Sequence, residues 1–235
     1  MKKYCIVLYL SLCCMMLSGC DKKVWYEIGT SPGWIAEYYS ISKYFLGPQY
    51  GFKPRPASMN IDNGKLNITN ITRGTQYASA QNYIKSGDQK YYDLCVKYGD
   101  LKPGGFLYRA LYDPKETDYM GNYAAESAFA ETISGIDITT AYFWDTEHPA
   151  GSSLNDIFDI KYATFYPFVQ GGWSAKNPRT VVEKPLSELC EDDLKMVSTE
   201  GITLSTSVLP PYVEDCYLTV TLTLDTGETV KIAAE

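Results

Sequence analysis

The chain has one histidine, His148, and three cysteines beyond residue 20, Cys95, Cys190 and Cys216. Ser-His-Asp, Cys-His and multi-histidine metal chemistry would all have to use His148. It lies in Asp145-Thr146-Glu147-His148, where carboxylates are near but the spacing matches no zinc motif. The expectation is a loop histidine ahead of Pro149. Asp113, Glu116 and Asp118 offer oxygens but lack the spacing and glycine of a calcium loop. Glycoside hydrolysis needs two carboxyl groups about 5 to 10 Å apart across a cleft, and 28 acidic residues single out no pair. Gly104-Gly105 and Gly171-Gly172 are not followed by the residues of a phosphate-binding loop. The reading is non-enzymatic, with no catalytic residue, cofactor or metal ligand expected.

Aromatic side chains are the other source of site chemistry. Trp25, Trp34, Trp144 and Trp173 have rings that can stack on sugars, and such rings also anchor interfaces. Trp144 and Trp173 are the candidates for ligand stacking. The competing reading is core packing, which large aromatics dominate. The acidic run Glu191-Asp192-Asp193 reads as the solvated face of a helix.

The first nineteen residues bound everything else. Lys2 and Lys3 precede an uncharged apolar run from Tyr4 to Leu17, and Ser18-Gly19 lead into Cys20. This is the anatomy of a signal peptide over residues 1–19. The run of about 14 residues is short of the ~20 that span a bilayer. Leu17-Ser18-Gly19-Cys20 resembles the lipobox of bacterial lipoproteins, in which the chain is cut before the cysteine and the cysteine is acylated. That resemblance implies lipidation of Cys20, with acyl chains such as palmitate. Each buried CH₂ contributes about 0.8 kcal/mol, and more than one chain is needed for stable anchoring. The implied setting is the cell envelope, with the outer membrane favoured over the inner and the membrane itself as partner. Residues 20–60 then form a lipidated linker with an aromatic segment, and residues 61–235 the folded domain.

Losing Lys2 and Lys3 but no acid takes the formal charge from −7 to −9. An acidic body without a basic patch is no nucleic-acid binder. With the three leader cysteines and Cys20 set aside, Cys95, Cys190 and Cys216 allow one bridge at most. Cys190–Cys216 is the preferred pair, because both fall on expected core faces; three buried thiols are the alternative.

The elements that must position these residues are mostly strands. Tyrosine, present 21 times, favours strands along with threonine, and 18 glycines and 12 prolines spread along the chain punctuate them. Strands are expected at 66–71, 91–98, 106–112, 133–143 and 202–208. In 133–143, Ile136, Ile138, Thr140 and Tyr142 share one face. Helical segments are expected at 34–46, 124–130, 154–158 (with Ser153 and Asp156 as a capping box) and 186–197. Residues 159–180 read as an aromatic loop. The clearest pattern is the end: Cys216, Leu218, Val220, Leu222 and Leu224 alternate with polar residues, Asp225-Thr226-Gly227-Glu228 turns, and Val230 and Ile232 resume the alternation. Period-2 patterning on both sides of a turn specifies a β-hairpin with one buried face.

From Ile133 onward, "HPAGSSLNDIF", "PLSELC" and "LSTSVLPPYVEDCYLTVTLTLDTGETVKI" resemble uncharacterised lipoproteins of Bacteroidetes with an immunoglobulin-like domain. The resemblance covers about the last hundred residues plus the leader. It implies a mainly β, immunoglobulin-like antiparallel β-sandwich with one or two short helices, and carries no activity with it. The expected function is a non-enzymatic binding or structural module of the envelope, with a glycan or an envelope protein as partner; the alternatives are a surface glycan-binding accessory protein or a hydrolase.

Overall fold

A computed structural model describes residues 33–47, 55–101, 126–173, 177–190, 192–212 and 216–234. The leader with Cys20, Trp25, the expected strand 106–112, the acids of 113–118 and Glu191 lie outside the described residues. Among the described residues, no helix is long and apolar enough to cross a membrane. The chain divides into two compact units, residues 1–36 with 78–125 and residues 37–77 with 126–235.

In the first unit, α2 (Ala80–Ser86) and α3 (Gln89–Tyr98) follow one another. The sequence led to a strand at 91–98; the structure makes it helical. Asp88 caps the helix by accepting from Lys90 N, and Gly99 closes it with φ 72°. Tyr91, Leu94, Cys95 and Tyr98 are the buried face, at the i, i+3, i+4, i+7 spacing of a helix. The buried Asp100 carboxylate then accepts from Trp34 N (2.8 Å) and Ile35 N (2.9 Å). Tyr91 Oη donates to Ile35 O at 2.7 Å, so residues 33–36 are tied to the end of this helix. Gly33 is obligatory there: a Cβ would fall 2.7 Å from Asp100 Oδ2 and Cys95 Sγ.

The second unit is mainly β and holds two sheets around one core. Its strands are β1 (Glu37–Ser40), β2 (Ser58–Asp62), β3 (Lys65–Thr69), β5 (Ser127–Phe129), β6 (Ile133–Thr140), β7 (Asp159–Thr164), β8 (Thr180–Pro185), β9 (Val197–Thr206), β10 (Leu218–Leu224) and β11 (Thr229–Ala234). β4 (Thr75–Ser79) joins β1 at the edge of the larger sheet. That eight-stranded sheet runs β2-β3-β9-β5-β1-β4, with β7 bridging β9 and β8; the other is β11-β10-β6. The expected antiparallel arrangement is departed from where β1 and β5 pair in parallel, from Glu37–Ser127 to Tyr39–Phe129. The 34–46 segment is split, with β1 running directly into α1 (Ile41–Phe45). The buried Glu131 carboxylate fixes that junction by accepting from Ser40 Oγ (2.5 Å) and Ile41 N (2.9 Å).

The C-terminal hairpin forms as the alternation requires. Leu218, Val220 and Leu222 pair with Ala234, Ile232 and Val230 on one side and with Thr140, Ile138 and Ile136 on the other. All nine side chains are buried. The described helices outnumber the one or two expected: α4 (Tyr166–Gln170) and a 3₁₀ turn (Leu186–Glu188) add to the three above. Three expected helices are otherwise occupied. Residues 127–129 are β5, residues 155–157 are a bare turn, and 186–197 is helical only as far as Glu188, with Val197 opening β9. Asp193 explains that early stop: it accepts from Cys190 N at 2.5 Å and pairs with Lys184 on β8, drawing the chain out of a helix. Asp192 and Asp193 of the acidic run therefore lie in a turn and not on a solvated helix face. Residues 159–180 hold β7 and α4 rather than a loop, with Ile160, Tyr162, Phe165 and Phe168 in the core.

Truncating a side chain at the centre of β10 removes buried contacts on both sides of the ladder. Leu222→Ala should cost about 2–5 kcal/mol in urea unfolding, whereas Thr223→Ala, exposed on the opposite face, should cost less than about 1 kcal/mol. Equal losses at both positions would contradict the packing described.

Candidate functional site

Past Thr140 the chain leaves β6 and forms a loop that returns to cover the same strand. Thr140 Oγ1 donates to Tyr142 O (2.8 Å) and accepts from Tyr142 N (3.2 Å), which turns the chain sharply. Gly151 N donates back to Thr140 O at 2.8 Å. Asn155 then acts as a substitute strand residue. Its Oδ1 accepts from Ile138 N (2.9 Å), its Nδ2 donates to Ile136 O (2.8 Å), and Leu154 N donates to Ile138 O (2.8 Å). The outer edge of β6 is thereby satisfied without another strand. Ser153 Oγ donates to Asp137 Oδ1 (2.6 Å) and Asp156 turns to His148, so these two form no capping box.

Inside the loop, His148 is buried between two carboxylates. Its Nδ1 lies 2.8 Å from Asp145 Oδ1, and its Nε2 lies 3.1 Å from both oxygens of Asp156. Asp145 Oδ1 also accepts from the backbone N–H groups of Glu147 (2.9 Å) and His148 (2.8 Å). His148 O accepts in turn from Trp144 N at 3.0 Å. With a carboxylate at each ring nitrogen, both nitrogens donate, which is the hydrogen bonding of the imidazolium. Burial disfavours that charge, but the hydrogen bonds and charges of Asp145 and Asp156 outweigh it and hold the His148 pKa above its ordinary 6.5. Burial likewise acts to raise Asp145, and the donors from His148 and Glu147 prevail, holding it below 3.8. His148 thus has a structural partner on each side rather than a nucleophile. Among the described residues, no group of three or more His, Cys, Asp or Glu side chains is arranged to hold a metal ion.

The same loop builds one wall of a pocket of about 380 Å³, lined by Thr140, Tyr142, Phe143, Trp144, Pro210, Tyr212 and Cys216. Tyr142 and Phe143 are each 55% exposed and Tyr212 is 78% exposed. The Tyr142 ring stands 5.8 Å from that of the exposed Tyr217. Ala141 N donates to Tyr217 O at 3.0 Å, so the pairing of β6 with β10 continues into the pocket wall. Trp144 is 1% exposed and packs against Phe158 with ring centres 6.2 Å apart. Its Nε1 has no hydrogen-bond partner among the described residues. Burial pushes the Cys216 thiol up to about 11, which keeps it neutral and unreactive.

The structure separates the expected site residues. Trp144 is buried beneath the pocket and offers no open stacking face, because its indole packs into the core. Trp173 is half-buried in the turn after α4, with Trp173 N donating to Phe168 O at 3.0 Å, and is not among the pocket residues. Cys190 and Cys216 are separate free thiols: Cys190 is exposed because its helix stops early, and Cys216 is buried. Tyr142, expected to share one strand face with Ile136, Ile138 and Thr140, lies beyond the end of β6 at Thr140 and is exposed. Sequence reasoning missed Tyr142, Phe143 and Tyr212 as site residues; the tract Pro210-Pro211-Tyr212 was the one local signal of an aromatic held on a rigid turn. Comparison with protein-family models, with curated proteins and with solved structures finds no match to this chain.

Because the chain has a single histidine, its titration is directly observable by NMR. His148 stabilises the fold fully below its unfolded pKa of about 6.5, and that contribution is lost as pH rises through the higher folded value. Asp145 contributes above its unfolded value near 3.9 and loses the contribution as pH falls through its lowered folded value. The imidazole midpoint should lie above 6.5 and move down in Asp156→Asn. A midpoint at or below 6.5 in the unaltered protein would refute the pairing.

Proposed function

We propose that the chain is a cell-envelope lipoprotein, held by acyl chains on Cys20 to a membrane, with the outer membrane favoured, and that its β domain is a non-enzymatic binding module. The sequence of the leader supports the anchor; Cys20 itself lies outside the described residues. The observation that carries the binding role is the aromatic pocket beside the three-stranded sheet. Its walls present large exposed rings, and among the described residues its lining contains no histidine, carboxylate or lysine to act as base or nucleophile. The immunoglobulin-like assignment and the resemblance to Bacteroidetes lipoproteins belong to this proposal, supported by a small antiparallel sheet packed with a larger one around one core.

A second reading is a glycan-binding accessory protein at the cell surface. The exposed rings of Tyr142, Phe143 and Tyr212 favour it, taking the role expected of the tryptophans. A hydrolase has less support, since Asp145 and Asp156 of the loop are both engaged by His148.

Metabolic labelling with a palmitate analogue tests the anchor. The native chain should be labelled and sediment with membranes, and Cys20→Ser should lose both properties. An unlabelled native chain would overturn the lipoprotein reading. Hydrolysis of glycosides or peptides by the purified mature protein would overturn the non-enzymatic one.

A further inference from the structure

We infer that the pocket between the 140–144 loop and Pro210–Tyr212 binds a neutral, largely apolar small molecule that carries one hydrogen-bond acceptor for the Trp144 indole N–H. This rests on the proposal that the domain is a binding module and names the chemistry of its ligand. Three observations carry it.

The first is charge. Among the described residues, no Asp, Glu, Lys, Arg or His lines the pocket, and the thiol of Cys216 is buried and neutral. In the loop that forms one wall, His148 is held between Asp145 and Asp156. An ionic ligand would meet no counter-charge among the described lining residues and would lose its hydration there.

The second is the donor inventory. Thr140 Oγ1 is committed to the backbone of Tyr142 as both donor and acceptor. The phenol groups of Tyr142 and Tyr212 belong to exposed side chains at the rim. Of the described residues that line the pocket, Trp144 carries a buried donor, Nε1, with no acceptor among the described residues. Buried donors are nearly always satisfied, so an unpaired one in a pocket lining marks the place of an acceptor on a bound molecule. A saccharide, with a hydroxyl on most carbons, would need several such groups at depth; the lining supplies one.

The third is shape and surface. A volume of about 380 Å³ is that of a small-molecule pocket. Its aromatic walls leave rings more than half exposed at Tyr142, Phe143 and Tyr212, a cluster that an apolar body would cover.

The test uses the mature chain with Cys20→Ser, which keeps it free of lipid, and Nile red, a neutral aromatic dye with a ketone acceptor. Saturable fluorescence enhancement is expected. In ¹⁵N spectra the Trp144 indole N–H resonance, assigned with Trp144→Phe, should shift with the same midpoint. Trp144→Phe keeps a ring but removes the donor and should weaken binding roughly fivefold. Tyr212→Ala, at an exposed position that leaves the core intact, should weaken it by a similar factor. Nile red binding unaffected by either variant, or an indole resonance that does not move, overturns the inference. If maltohexaose or cellohexaose shifts that resonance and Nile red does not, the apolar ligand is wrong while the binding module stands. If neither class binds the pocket, both readings fall.

Discussion

The second unit depends on a strand with partners on both edges. β10 lies between β6 and β11, and its inward residues, Leu218, Val220, Leu222 and Leu224, are all buried. A register slip of one residue would bring Thr219, Thr221 and Thr223 inward and put the leucines in water. The hydrophobic cost of that exchange locks the pairing. Because Leu218 stands opposite Thr140, the point at which β6 ends and its loop begins is locked with it.

The loop that follows solves two problems together. An exposed edge of β6 would be a row of unpaired backbone groups, open to pairing with other chains. Asn155, Leu154 and Gly151 fill that edge, which ties the two ends of the loop to one strand. His148 with its two carboxylates then braces the interior, and its carbonyl holds the backbone of Trp144. The charged ring is favoured because each ring nitrogen has an acceptor; removing one carboxylate would lower the pKa of the imidazole. The pocket walls are thus built on the sheet and on a braced loop rather than on a free one.

These relations differ in how far the sequence reveals them. The C-terminal hairpin is legible because strict alternation runs through a long strand and resumes after a turn. Residues 91–98 mislead because tyrosine and valine favour strands, while the helix is decided by Asp88, Gly99 and the burial of every third or fourth residue. β1, β5, β7 and β8 escape notice because they are short or polar on one face, and each is made a strand by a partner distant in the chain. Trp144 illustrates the limit for the site. Its type suggests stacking, but its burial follows from packing on Phe158 and from a loop closed through His148. Asp145 and His148 are close in sequence; that Asp156 completes the pair from the other side is a property of the folded loop.

The central claim is that the pocket wall is a rigid continuation of the β6–β10 ladder. Native-state hydrogen exchange measures this at two amides, Ile138 N–H, which donates to Asn155, and Ala141 N–H, which donates to Tyr217. Both should exchange within about tenfold of Val220 N–H, opening only when the sheet itself opens. Exchange of Ala141 at the rate of an unprotected amide while Val220 stays protected would show the wall to be independent of the ladder and would contradict the account.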